Sequence, residues 1–148
     1  MSLAYFAYGA NLDVPAMQTR CPGAIPLRTG TLDGYRLVAM REGWLSVTPH
    51  PRSRVAGLLW TLDEHHLRAL DAYEEVQGGL YVHRRLSIST GDGTTNEALV
   101  YVGTNDGPGL LDTEYAGRVE RAALATLGPK AAGRIRSLSR ACDPEAVD

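Results

Sequence analysis

The stretch Tyr5-Phe6-Ala7-Tyr8-Gly9-Ala10-Asn11-Leu12 decides how the rest of the chain is interpreted. Its apolar, aromatic first half predicts a strand over about residues 3–8, which ends at Gly9, and a short helix is predicted over 13–20. A glycine turn between a strand and a helix directs several backbone N–H groups at one point. Such a point suits a carboxylate, a phosphate or a developing oxyanion. The pattern alone leaves a plainer alternative, in which Gly9 makes a turn and Asn11 caps a helix.

The composition is that of an ordinary globular protein. The chain has 148 residues and a formal net charge of −2, so we expect one domain over 1–148, with a polar, frayed tail at 141–148. The near-neutral charge gives no reason to expect a nucleic-acid or membrane partner. No apolar run approaches the roughly 18 residues of a membrane helix. Two distant cysteines, Cys21 and Cys142, without a signal peptide predict reduced thiols and a cytoplasmic location.

Strand signals dominate the middle of the chain. Strands are predicted over residues 27–32, 35–40, 45–48, 55–62, 80–89 and 97–103. The third is predicted to end at Pro49-His50-Pro51, and Asp92-Gly93 predicts a hairpin turn. Further helices are predicted over 64–71, 112–127 and 129–139. The strands follow one another too closely for regular βαβ units. We therefore predict an α+β fold with a mixed, mostly antiparallel, barrel-like sheet and flanking helices.

One carboxylate stands out from the others. Leu67 and Leu70 form the apolar stripe of the helix predicted at 64–71, and Glu74 follows Leu70 by four residues. If the helix continues, Glu74 faces the interior, where loss of solvation raises the pKa of a carboxyl and suits a general acid or base. If the helix ends at Leu70, Glu74 lies in an exposed loop. Asp71 and Glu75 are expected on the solvated face.

The histidines predict no metal site. His65 and His66 are adjacent, so on a helix they lie about 100° apart and are not expected to face one ion. The chain contains no HExxH, CxxC, Walker, GxGxxG or G-x-S-x-G pattern. We therefore expect neither a metal nor a cofactor. Tyr81 and Tyr101 flank the predicted hairpin and are interpreted as cross-strand core residues, with pocket-lining hydroxyls as the alternative.

These residues resemble a known family. Residues 5–12 are similar to the YFAYGSNL signature of the γ-glutamylcyclotransferase-like (AIG2-like) proteins. Residues 55–60 (VAGLLW) resemble the family's xVxGVVW strand, and residues 70–81 resemble its LDxxEGVxxGxY segment. The resemblance covers residue 4 to about residue 103. Two positions depart from the pattern, because Ala10 replaces the usual serine and Glu75 replaces the common glycine.

The resemblance implies a small γ-glutamylcyclotransferase-like domain with a barrel-like sheet. It also implies an enzyme that cyclises a γ-glutamyl compound to 5-oxoproline and releases an amine. By position, Glu74 would be the catalytic acid/base. The glutamyl moiety would be bound by backbone amides of the turn, with two tyrosines in the pocket: Tyr8, Gly9, Ala10, Asn11 and Leu12 form that turn, and Tyr81 and Tyr101 are the tyrosines. The expected partner is a small-molecule γ-glutamyl substrate, and a homodimer is compatible with the sequence.

Two other functions fit the same residues. A non-catalytic module on this scaffold would bind a carboxylate ligand without turnover. A hydrolase using Asp71 and Glu74 as paired carboxylates would release glutamate instead of 5-oxoproline. Free amino acids, polyamines, isopeptide lysine and γ-glutamyl-protected natural-product intermediates all fit as the source of the leaving amine.

Overall fold

Five strands close into a barrel in the computed structural model, which describes residues 3–140. The strands are β1 (Leu3–Ala7), β2 (Ile25–Ala39), β3 (Leu45–Leu62), β4 (Tyr81–Ser89) and β5 (Thr95–Gly103). They are ordered β1-β3-β2-β4-β5; β1 lies parallel to β5, and the other pairs are antiparallel. This confirms the predicted α+β fold. The tail predicted at 141–148 lies outside the described residues.

The helices lie between and after the strands. They are α1 (Val14–Arg20), α2 (Glu64–Tyr73), α3 (Thr113–Thr126) and α4 (Pro129–Arg140), and a single 3₁₀ turn covers Ala10–Leu12. The Asp13 side chain caps α1 by accepting a hydrogen bond of 3.2 Å from the Ala16 amide. The plainer interpretation of the opening stretch, in which Asn11 caps the helix, is therefore wrong. No helix among residues 3–140 is long and apolar enough to cross a bilayer.

The middle strands are longer than predicted. The segments predicted separately at 27–32 and 35–40 form the single strand β2, which bends at a bulge between Asp33 and Tyr35. The prediction that a strand ends at Pro49-His50-Pro51 is wrong, because β3 runs through these residues. β1 pairs with β3 only from Leu58 onward, so Pro49 has β2 as its one partner strand, and Pro51 lies in the register shift between Pro49 and Arg54. A missing N–H is tolerated in such an edge segment.

Gly30 allows two strands to lie close together. It lies in β2 beside β4, and a β-carbon added there would stand 2.6 Å from Ile88 Cγ2. Next to it, Thr31 pairs with Ser89 in the contact between β2 and β4. Only a residue without a side chain lets these strands approach so closely, and this contact belongs to the closure of the barrel.

Successive residues of β1 pack into two different cores. Phe6 belongs to a cluster with residues of all five strands, which fills the barrel: Leu32, Val47, Val55, Leu59, Ile88, Ala98 and Val100. Tyr5 and Ala7 belong to a second cluster that includes helix residues such as Met17 and Leu70. The alternation follows from the two-residue period of a strand. β1 is thus buried on both faces, and its C-terminal end leads into the turn at Gly9.

Candidate active site

A cavity of about 220 Å³ lies beside the turn that follows β1. Most of the residues predicted for the site line it: Tyr8, Gly9, Ala10, Asn11, Glu74, Tyr81 and Tyr101. Residues that the sequence analysis did not select line it as well, among them Tyr5, Tyr115 and Arg118. The fold thus brings the opening stretch and Glu74 to one place, although about sixty residues separate them in the chain.

Glu74 is held in the cavity wall by the end of α2. The helix continues past Leu70 to Tyr73, and the Glu74 amide donates to the Leu70 carbonyl at 2.8 Å. Of the two alternatives for Glu74, this is the continued helix and not the exposed loop. Burial raises the pKa of the Glu74 carboxyl to about 7, against a smaller lowering by the Arg20 guanidinium. A carboxyl with that pKa both accepts and donates a proton near neutral pH.

The first residues of the turn line the cavity, and their backbone amides have no acceptor in the turn. Ala10 and Asn11 are the first two residues of the 3₁₀ turn, where N–H groups lack acceptors within the helix. Leu12 differs from the other predicted site residues. Its side chain is fully buried in the core, and its amide donates to the Gly9 carbonyl at 3.0 Å. We therefore leave Leu12 out of the proposed substrate-binding set.

The Asn11 side chain holds the cavity wall together. Its Nδ2 donates to the Tyr5 hydroxyl at 2.9 Å, and its Oδ1 accepts a hydrogen bond from Arg20. The Arg20 guanidinium lies 3.6 Å from the centre of the Tyr73 ring, next in sequence to Glu74. Buried Asn11 thus links the opening strand to the end of α2 through Arg20.

Three of the tyrosines that line the cavity donate their hydroxyl protons to acceptors within the protein. Tyr8 donates to the Tyr101 carbonyl at 2.6 Å, Tyr81 donates to the Leu45 carbonyl at 2.5 Å, and Tyr101 donates to Asp71 Oδ1 at 2.5 Å. These three are the tyrosines that the sequence analysis placed in the site. Because their protons already have acceptors, their hydroxyls brace the cavity wall.

Two other tyrosines keep their protons available. The Tyr5 hydroxyl accepts from Asn11, and the Tyr115 hydroxyl accepts from the Leu45 amide at 3.3 Å. Among residues 3–140, neither hydroxyl has an acceptor for its own proton. Burial raises the pKa of both Tyr5 and Tyr115 far above neutrality, so both stay protonated donors. The sequence predicted Tyr5 in a strand and Tyr115 in a helix, without a role for either in the site. A signal for Tyr5 was its place in the opening stretch.

Asp71 does not join Glu74 as a second cavity carboxylate. Its Oδ1 accepts from Tyr101, and its Oδ2 lies 3.6 Å from His83 Nε2. Asp71 is also absent from the cavity lining. The prediction that Asp71 lies on the solvated face holds only in part, since its side chain is 32% exposed. The arrangement gives no support to a hydrolase with paired Asp71 and Glu74.

Glu75 lines the mouth of the cavity in an unusual backbone conformation. Its φ angle is +54°, and it is the only described residue other than glycine with positive φ. The left-handed region favours glycine because a β-carbon is crowded there. This conformation gives a physical reason for the glycine that the family pattern places at this position. The Glu75 side chain is exposed, as predicted.

His65 and His66 lie closer to a common point than predicted. Both ring nitrogens of His66, however, already have polar contacts within the protein. The prediction that His65 and His66 cannot face one point is wrong, because their ligand atoms and a carboxylate oxygen of Asp63 all lie within 4.8 Å of one another. The rings reach each other by tilting, with centroids 4.0 Å apart. His66 Nδ1 accepts from the Asp63 amide at 2.9 Å, and Nε2 lies 2.5 Å from the Pro22 carbonyl. His66 Nδ1 thus caps the start of α2, and Nε2 ties α2 to the loop after α1.

Comparison with known proteins gives the same family along most of the chain. A family model described as "Gamma-glutamyl cyclotransferase, AIG2-like" matches residues 5–119. The gamma-glutamylcyclotransferase of Bos taurus is 31% identical over 114 residues, which cover 70% of this chain and 61% of the bovine protein. That of Homo sapiens is 30% identical over 114 residues, with the same two shares. The chain thus matches about three fifths of the length of these relatives.

Solved structures show the same fold. A gamma-glutamyl cyclotransferase structure superposes with a TM-score of 0.85 and 22% identity, covering 93% of this chain and 88% of the other. A structure from Homo sapiens, described as an uncharacterized protein, superposes with a TM-score of 0.83 and 23% identity over the same shares. At these identities the structural similarity shows the fold alone.

Proposed function

The chain belongs to the γ-glutamyl cyclotransferase, AIG2-like family, and we propose that it converts a γ-glutamyl compound into 5-oxoproline and a free amine. The observation that carries the proposal is the Glu74 carboxyl, which lines the same cavity as the turn at Gly9. Its pKa of about 7 lets one group serve as base and then as acid. The curated relatives that carry the name gamma-glutamylcyclotransferase support the same activity.

The proposed reaction is intramolecular and so needs few catalytic groups. The α-nitrogen of the glutamyl moiety attacks its own γ-carbonyl carbon, a new C–N bond closes the five-membered ring, and the C–N bond to the leaving amine breaks. Nucleophile and electrophile arrive on one molecule, so the protein has only to fold the chain into a reactive geometry. Three tasks remain: to deprotonate the α-ammonium, to stabilise the oxyanion and to protonate the departing amine.

Glu74 performs both proton transfers in this proposal. As a carboxylate it takes a proton from the α-ammonium, since a protonated amine has no lone pair for attack. As the carboxylic acid it then returns a proton to the leaving nitrogen. Among residues 3–140 no side chain donates a hydrogen bond to Glu74, so its oxygens stay free for the substrate. A carboxyl in full contact with water, with an ordinary pKa, would be a poor acid for the second step.

Hydroxyl and amide donors on the cavity wall would bind the remaining charges. The free protons of Tyr5 and Tyr115 suit the oxyanion of the tetrahedral intermediate, because a donor without a competing acceptor within the protein is available to the substrate. The amides of Ala10 and Asn11 suit the substrate α-carboxylate. Ala10 carries no hydroxyl, so the turn would bind through its backbone alone. Tyr8, Tyr81 and Tyr101 would shape the pocket without donating to the substrate.

Product analysis tests the proposal. The protein is incubated with a panel of γ-glutamyl amino acids and γ-glutamyl amines, and the products are identified by mass spectrometry. We expect 5-oxoproline and the free amine in equal amounts from at least one member. Release of glutamate would instead indicate hydrolysis. Thermal stabilisation by a panel member without any product would instead indicate the non-catalytic binding module.

A further inference from the structure

A second cavity, of about 280 Å³, lies where the N-terminal half of α4 packs against β2 and β3. Three cationic side chains line it, one from β3 and two from α4: Arg54, Lys130 and Arg134. No acidic residue lines it among residues 3–140. We propose that this cavity binds a small organic anion, namely a phosphate or carboxylate group attached to an apolar body of about one ring.

The three cations lack partners within the described residues. None of them forms an ion pair within 4.0 Å in the range 3–140, whereas Arg136 on the same helix pairs with Glu120 at 2.6 Å. The nearest candidate for Arg54 is Asp33, which lies opposite it in the register of β2 and β3. However, Asp33 Oδ2 accepts a hydrogen bond from Ser89 at 2.7 Å. Within residues 3–140, no ion pair neutralises the positive charge at the cavity.

The three cations are exposed, and two of them lie close together at the start of α4. Lys130 lies in the first turn of α4, where the helix macrodipole is positive and no acidic residue offsets it. Arg134 follows Lys130 by four residues, a spacing at which like charges repel on a helix. An anion seated between the two side chains would relieve both effects. The start of α4 adds its own positive potential to the same cavity.

Apart from Tyr8 and Thr31, the other residues that line the cavity are apolar, which sets the kind of anion. Leu37, Val55, Leu127 and Ile135 line it together with the alkyl stems of the cations. A bare inorganic ion would leave this surface in contact with water. A ligand with an apolar body would bury it and gain from the hydrophobic effect. A phosphate ester or an aryl carboxylate of modest size has both parts.

The second cavity is separate from the first, although the two share Tyr8. Its cations belong to β3 and α4, whereas Glu74 and the turn at Gly9 belong to the first cavity. Binding to it is therefore measured without any turnover, and the result does not depend on the proposed cyclisation.

Isothermal titration calorimetry with four probes tests the proposal. The probes are phenyl phosphate, benzoate, inorganic phosphate and benzyl alcohol. We expect phenyl phosphate or benzoate to bind, and the tighter of the two identifies the anionic group. Inorganic phosphate should bind about tenfold more weakly, and the neutral alcohol should not bind. The double variant Lys130→Gln/Arg134→Gln should weaken binding by about tenfold or more. The matched control Arg136→Gln, on the same helix but outside the cavity, should bind as the parent does.

Amide chemical shifts locate the ligand and keep the test decisive. In ¹H–¹⁵N spectra, the amides of Arg54, Ala56 and Ala131 should move on titration with the tighter probe. The proposal is overturned if none of the aromatic anions binds, or if the double variant binds as tightly as the control. It is also overturned if the shifts fall on Gly9, Ala10 and Asn11, since the anion would then occupy the first cavity.

Discussion

The Tyr115 hydroxyl oxygen lies 3.2 Å from the point where a β-carbon on Gly9 would stand. α3 supplies the tyrosine and the turn after β1 supplies the glycine, so the contact joins two distant parts of the chain. A gap of 3.2 Å is tighter than ordinary carbon–oxygen van der Waals contact. The glycine therefore leaves room for the hydroxyl whose proton we propose to aim at the oxyanion.

We predict that Gly9→Ala lowers kcat/KM by about 10- to 100-fold, because the new methyl group displaces the Tyr115 hydroxyl from its position. Steady-state kinetics on the best substrate of the panel measures this. The double variant Gly9→Ala/Tyr115→Phe is the control. With the hydroxyl gone, the alanine should cost little more than Tyr115→Phe does alone. Strictly additive losses would show that Gly9 and Tyr115 act independently.

We predict different effects on kcat from two tyrosine-to-phenylalanine changes. Tyr115→Phe should lower kcat by about 10- to 100-fold, because it removes a donor whose proton is free. It should also lower the free energy of unfolding by about 1–3 kcal/mol, because the buried Leu45 amide loses its acceptor. Tyr81→Phe should lower the free energy of unfolding by about 1–3 kcal/mol with a smaller effect on kcat, because it leaves the buried Leu45 carbonyl unpaired. Urea unfolding and steady-state kinetics are measured on both variants. A larger loss of kcat in Tyr81→Phe than in Tyr115→Phe would contradict the assigned roles.

The pH dependence of the reaction follows from the pKa of Glu74. Glu74 must be ionised to take the first proton, so kcat/KM should rise with pH through an acid limb whose apparent pKa is about 7. An acid limb near pH 4 would mean that the carboxyl is fully hydrated. Glu74→Asp is the matched variant, since it keeps a carboxyl while moving it away from the substrate.

The same pKa predicts how stability depends on pH. The carboxyl titrates near pH 4.3 in the unfolded chain and at about 7 in the folded protein. Between these values the native state binds the additional proton, so the free energy of unfolding falls as pH rises. The fall should be on the order of 2–3 kcal/mol. It should be absent in Glu74→Gln, as measured by urea unfolding at pH 5 and pH 8. Parallel pH profiles for the two proteins would contradict the prediction.

We predict that Glu75→Gly raises the free energy of unfolding by about 0.5–1 kcal/mol. The left-handed backbone at Glu75 (φ +54°) costs a residue with a side chain roughly 1–2 kcal/mol. The greater freedom of glycine in the unfolded chain offsets part of that gain. Glu75→Ala is the control, because it removes the charge and keeps the β-carbon, and it should leave stability unchanged. A gain in the alanine variant equal to that in the glycine variant would assign the effect to charge.

The sequence predicted the parts of the fold that depend on local signals. Asp92-Gly93 makes the hairpin turn, and the Leu67/Leu70 stripe puts Glu74 on the side of α2 that faces the cavity. It failed where strand pairing overrides a local signal. Pro49 and Pro51 predicted the end of a strand, but β2 pairs with β3 on both sides of this segment.

The sequence predicted which residues lie at the candidate site, but it did not predict which hydrogen bonds their side chains form. The family resemblance implied that Tyr8, Tyr81 and Tyr101 belong to the site, and all three line the cavity. Which tyrosine keeps a free proton depends on where the Leu45 and Tyr101 carbonyls point, and only the closed barrel determines that. Tyr115 could be read only as part of the apolar stripe of α3, because no local pattern separates a core tyrosine from one facing a cavity.

The most direct test of the account is 5-oxoproline release by Glu74→Gln, measured by mass spectrometry on the best substrate of the panel. Glutamine keeps the shape of the side chain but neither accepts nor donates the proton. We predict a loss of at least about a thousandfold in kcat, with the circular dichroism spectrum and the unfolding midpoint at pH 5 close to those of the parent. Turnover within about tenfold of the parent by a folded Glu74→Gln protein would contradict the assignment of Glu74 as the acid/base.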